Sequence, residues 1–159
     1  MKFVISATTN TTLGVDLAAQ FAVDQNIAPI ISESYGICEA GIGTAGNQFF
    51  NSLWQQAAAQ GITVILAAGD SGSAGCDSHD NAPPAPAEFG LQVSGFASTP
   101  YNVAVGGTDF NDIASPSTFW NTTNNPTTQE SAKGYIPEVP WNDTCTSSAL
   151  SFFGFPRCV

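Results

Sequence analysis

The chain has 159 residues, 43% of them hydrophobic and 11% aromatic, which suffices for one domain with a real core. Three basic against 13 acidic side chains leave a net charge of -10, so no nucleic-acid partner is expected: nothing here could neutralise phosphates. No apolar run is long enough to span a bilayer, and no membrane partner is expected either.

In chain order, Phe3 to Ala7 reads as a short strand, followed by a Thr/Asn loop. A helix is predicted from about Gly14 to Asn26, with Val15, Leu17, Ala18, Phe21 and Ala22 as its apolar stripe. Ala28 to Ser34 gives a second strand behind Pro29. A longer helix, about Thr44 to Gln60, carries Phe49, Leu53, Trp54 and Ala57 on one side and stops at Gly61, a good carboxyl-terminal cap. Ile62 to Ala68 is a continuous apolar strand, as expected where both faces of a parallel sheet are covered. Asp77 to Pro86 is a Pro-rich loop, and Asn102 to Val105 a further short buried strand closed by Gly106 and Gly107. From Ala114 to about Val139 the chain is Ser/Thr/Asn/Pro-rich, and the least order is expected there. Alternating strands and helices define an α/β class with a mostly parallel sheet and right-handed crossovers, with a core over 1–112 and a loop-rich 113–159.

Four cysteines, Cys38, Cys76, Cys145 and Cys158, form no CxxC pair, and His79 is the only histidine, so disulfides are favoured over a metal site. Three pairings are open, and Cys38 with Cys76 plus Cys145 with Cys158 is the arrangement expected. Asn10, Asn121 and Asn142 begin glycosylation sequons that an Asn- and Thr-rich chain produces by chance. Met1 to Ser6 is too short and soon too polar for a signal peptide. Scarce Lys and Arg suit an exported protein working in acid, where protonating carboxylates removes self-repulsion.

The apolar run Gly61 to Ala68 ends abruptly in Gly69-Asp70-Ser71-Gly72, which places an acid at the carboxyl edge of a sheet. Together with Ile31-Ser32-Glu33-Ser34-Tyr35-Gly36 upstream and Ala97 to Thr108 downstream, this resembles the sedolisin or kumamolisin-like family of serine-carboxyl peptidases, from about Phe3 to Trp141. The resemblance implies a subtilisin-like three-layer fold, here incomplete at both ends, within a peptidase catalytic domain. It makes Asp70 an oxyanion-hole residue, able to donate a hydrogen bond only when protonated, as an acidic medium favours. It makes Ser34, Tyr35, Gly36 and Gly69 substrate contacts, with an extended peptide pairing by strand addition. Glu39 could line the same cleft or be a surface carboxylate. The family's catalytic Glu and Asp are expected before Phe3, its Gly-Thr-Ser nucleophile after Trp141 and its calcium site beyond Val159. These 159 residues are therefore expected to need no cofactor and to be inactive alone, as a fragment of a secreted endopeptidase acting on peptide or protein substrates. Exposed sheet edges would favour self-association.

Other functions compete. Gly41-Ile42-Gly43-Thr44-Ala45-Gly46 spells the dinucleotide fingerprint, but three residues separate it from the strand and Glu39 would repel a pyrophosphate. Gly69-Asp70-Ser71-Gly72 matches a serine-hydrolase nucleophile motif in which Ser71 would attack, yet His79 lies downstream in a Pro-rich loop. Asp16 and Asp24 fall eight apart on the first helix and read as solvated faces; Asp109 and Asp112 could suggest a metal loop, but the resemblance puts the family's calcium site beyond Val159, so no metal is expected here. A non-catalytic binding domain is the remaining class.

Overall fold

The computed structural model describes residues 1–77 and 87–141. His79, Asn142, Cys145 and Cys158, with the expected second disulfide, lie outside the described residues. Two compact units are present: 1–69, 73–77 and 87–106 make the first, and 70–72 with 107–141 the second.

The first unit is built on a parallel sheet of β1 (Ile30–Glu33), β2 (Thr63–Ala67) and β3 (Val103–Val105), in that spatial order. Ile30 pairs with Thr63 and Glu33 with Leu66; Ile65 pairs with Val103 and Ala67 with Val105. The central strand buries Val64 and Leu66 fully, whereas Ile65 and Ala67 are half-buried. β3 is not the buried strand expected. Val103 is 50% exposed, because an edge strand among the described residues is covered from one side only.

Helix α1 (Gly14–Asp24) follows the predicted span but turns a different face inward. Ala18, Ala19, Ala22 and Val23 are buried while Phe21 stays exposed, so small side chains set a close approach and the large one points away. Gly14 is required at the helix start, since a Cβ there would collide with the Ser6 carbonyl. Phe3 to Ala7 is not a strand. Phe3 is 87% exposed and the segment has no ladder partner; the residues on either side of it are tied instead, Lys2 Nζ to the Ile27 carbonyl (2.5 Å) and Thr8 Oγ1 accepting from Gly14 N–H (3.0 Å).

Helix α2 (Glu39–Ala59) begins earlier than predicted, and a break at Gly43 (φ 66°, ψ -178°) marks the expected start. Its buried stripe is Phe50, Leu53, Trp54 and Ala57, at i, i+3, i+4 and i+7, and Phe49 is displaced to the surface. Gly61 (φ 76°) closes the helix as predicted: Ile62 N–H donates to the Ala57 carbonyl (2.9 Å) and Gly61 N–H to the Ala58 carbonyl (3.1 Å), a Schellman motif. The core joins these elements through Phe96, whose ring stacks on Phe50 at 3.8 Å and whose carbonyl accepts from the buried Trp54 Nε1 at 2.9 Å.

The second unit carries antiparallel β4 (Thr108–Phe110) and β5 (Glu138–Pro140), with Asp109 opposite Val139. The stretch expected to be least ordered holds a short helix, α3 (Pro116–Phe119), and a bridge between Trp120 and Ala132. Local polar bonds hold it, including Asn121 Nδ2 to the Ser131 carbonyl (3.0 Å), and such turn chemistry has no hydrophobic period to read.

Candidate functional site

Parallel pairing puts the carboxyl ends of β1 and β2 side by side, with Glu33 opposite Leu66. The chain leaves β1 through Ser34, Tyr35 and Gly36, all exposed, and a Cβ on Gly36 would lie 2.9 Å from Ser94 Oγ and 3.9 Å from the Ala67 carbonyl. The Tyr35 ring meets Phe96 with centroids 5.8 Å apart, so the aromatic core anchors this exit. Ladder bonding from β2 continues one residue, with Ala68 N–H donating to the Val105 carbonyl at 2.9 Å. Gly69 then turns with φ 105°, a region only glycine adopts cheaply. Thus Ser34, Tyr35, Gly36 and Gly69 gather at one sheet edge.

Two further strips brace that edge. Gly95 N–H donates to the Ile37 carbonyl (2.8 Å) and Glu39 N–H to the Val93 carbonyl (2.9 Å), while Gln92 N–H donates to the Ser73 carbonyl (2.8 Å). The Cys38–Cys76 disulfide, one of the two pairs expected, ties the same strips together. Residues 92–96 are therefore a scaffold that sequence reading passed over; the bridges of Cys38 to Ser94 and Ala74 to Gln92 are long-range and leave no local signal.

In the second unit, Asp70 is exposed in the turn that follows Gly69, with Gly72 at φ 55°. Its neighbour Ser71 is 6% exposed, a poor position for a nucleophile that must reach a carbonyl carbon. Asp112 accepts from Trp120 Nε1. Among the described residues no three His, Cys, Asp or Glu side chains are grouped to hold a metal.

No dinucleotide loop forms at Gly41, Gly43 and Gly46. All three lie inside α2, where Gly41 N–H is already engaged by the Cys38 carbonyl (2.9 Å), and a pyrophosphate needs free amides at the turn between strand and helix. Glu39 sits on the first turn of α2 and lines an open polar cavity of about 680 Å³ with Asn47, Gly95 and Thr99.

Asp16 is not a solvated helix acid. Its Oδ1 is buried without a partner, as is Glu33 Oε1 at the end of β1. Burial raises the Asp16 carboxyl, and burial followed by the nearby Asp16 charge pushes Glu33 up to about 7. Sequence offered one sign of this, a lone Glu within the expected strand Ala28 to Ser34.

A parallel β1-β2-β3 sheet with helices, and functional candidates at its carboxyl edge, defines an α/β fold of the subtilisin type. More particularly, the chain is sedolisin-like in sequence and in structure. It is 33% identical over 144 residues, 90% of its length, to Sedolisin of Pseudomonas sp. (strain 101). A solved Pseudomonas sedolisin, a serine-carboxyl proteinase complexed with two molecules of pseudo-iodotyrostatin, superposes with a TM-score of 0.52 over 79% of this chain at 32% identity. The chain spans 21% of the curated relative and 34% of the solved one. No family model matches.

Proposed function

We propose that this chain forms the oxyanion side and substrate-strand wall of an exported, acid-acting serine-carboxyl endopeptidase. The observation that carries this is the gathering of Ser34, Tyr35, Gly36 and Gly69 at the carboxyl edge of β1 and β2 in a sedolisin-like chain. The exposed exit from β1 offers backbone groups to an extended peptide, which adds as a strand. Asp70, when protonated, donates to the oxygen that becomes negative in the tetrahedral intermediate. Proton transfer and attack need a base and a nucleophile beyond Asp70, so the 159 residues alone do not turn over peptides.

Two assays on the chain test this. Titration with an extended peptide at acidic pH is expected to shift the amide resonances of Ser34 to Gly36, and silence there would reject the substrate wall. Hydrolysis of a denatured protein across acidic to neutral pH is expected to be absent in the chain and in Asp70→Ala alike; turnover lost in Asp70→Ala would instead place a nucleophile within these residues. The edge position of β3 extends the proposal to self-association, which light scattering reads directly, a monomer at all concentrations rejecting it.

A further inference from the structure

Two carboxyl groups on different elements of the first unit share an unusual situation. Glu33 closes β1, Asp16 lies in the first turn of α1, and each has a buried oxygen with no hydrogen-bond partner. Glu33 also lines a cavity of about 190 Å³ between α1 and β1, with Val15, Ala18 and Ala22 on one wall and Ile31 and Phe3 on others. An unpartnered carboxylate in such surroundings is costly, and a second one beside it adds repulsion.

No described cation answers the pair. On the amino-terminal segment Lys2 lines the same cavity, but its ammonium donates to the Ile27 carbonyl at 2.5 Å. β2, the strand paired with β1, contributes no charge over Thr63–Ala67. Asp24, the other acid of α1, accepts from Gln56 Nε2 at 3.0 Å.

We propose that Glu33 and Asp16 form a proton-dependent latch that holds α1 against β1 in acid and loosens it toward neutral pH. Protonating Glu33 removes an uncompensated buried charge from the end of β1 and, with it, the repulsion from the nearby Asp16 carboxylate on α1. When both are ionised, β1 is loosened at its last residue, next to Ser34. The effect on Ser34 to Gly36 rests on the peptidase reading given above, whereas the latch itself does not.

The direction follows from linkage. Glu33 holds its proton more tightly folded, near 7, than in its ordinary range near 4.5. Its contribution is therefore fully present below about 4.5 and is lost as pH rises to about 7. Asp16 is raised from 3.8 and acts in the same direction.

Thermal unfolding of the 159-residue chain from acid to neutral pH tests this without any substrate, beside Glu33→Gln, Asp16→Asn and Asp24→Asn. The unmodified chain is expected to lose on the order of a hundredfold in its folding equilibrium, a fall in Tm of roughly 5–10 °C. Glu33→Gln should flatten that fall, Asp16→Asn should reduce it, and Asp24→Asn should leave it unchanged. An unaltered slope in Glu33→Gln would overturn the latch. Carboxyl-carbon NMR of the unmodified chain decides the matter should a variant not fold: a Glu33 midpoint near 7 supports the latch, and one near 4.5 rejects it. Because neither readout involves peptide, failure here is separable from failure of the peptide titration.

Discussion

The two units hold themselves together by different means. The first buries Val23, Phe50, Trp54, Val64, Leu66 and Phe96 almost completely. Among the described residues of the second, Ile136 is the apolar side chain buried to that degree, and the rest is backbone ladder, turn bonds and the Trp120 to Asp112 contact. Hydrophobic burial contributes in proportion to area, about 25 cal/mol per Å², while each intramolecular hydrogen bond nets only about 1 kcal/mol. Stability is therefore concentrated in the first unit, and single changes there should cost most.

Trp54→Ala tests the comparison most severely. It removes a fully buried indole and its bond to the Phe96 carbonyl, and urea unfolding followed by circular dichroism should show a loss of about 3–5 kcal/mol. Next comes the covalent brace. Replacing Cys38 and Cys76 together by Ala releases a loop spanning 38 residues and should cost about 2–4 kcal/mol in the same assay.

In the second unit the expected effects shrink. Trp120→Phe keeps an aromatic ring beside Phe110 and loses the bond to Asp112, for about 1 kcal/mol. Hydrogen exchange should place that loss in 107–141 while the amides of β2 keep their protection. Thr108→Val breaks an exposed 3.1 Å bond to Glu138 Oε2 and should change Tm within error, below about 0.5 kcal/mol. If Trp120→Phe cost as much as Trp54→Ala, the contrast between the units would fail.

Much of the first unit was legible because its signals are local. The Val64-Ile65-Leu66 run announces a parallel strand, and Gly61 supplies the positive φ that a Schellman cap needs. The Gly69-Asp70 turn likewise declares itself by an apolar run ending in glycine. What escaped was rotation and partnership. Phe49 and Phe50 are equally apolar, and only contact with Phe96, 46 positions on from Phe50, decides which is buried. The fingerprint at Gly41 to Gly46 reads the same in a loop or in a helix, and in the fold it runs through α2 with a break at Gly43. Asp16 looked solvated on its own helix, yet in the fold one of its oxygens and one of Glu33 on β1 are both buried without a partner.

The sequence by itself thus determined the α/β class, the caps, the strand exits and the kind of residue at the sheet edge. These depend on neighbours a few positions away, where steric and hydrogen-bonding preferences act without the rest of the chain. Tertiary structure decided which helix face turned inward, that residues 92–96 brace the edge, and that Asp16 and Glu33 each bury an oxygen without a partner. Those outcomes depend on distant segments meeting, and the free energy of a buried charge or ring exists only once its surroundings have closed.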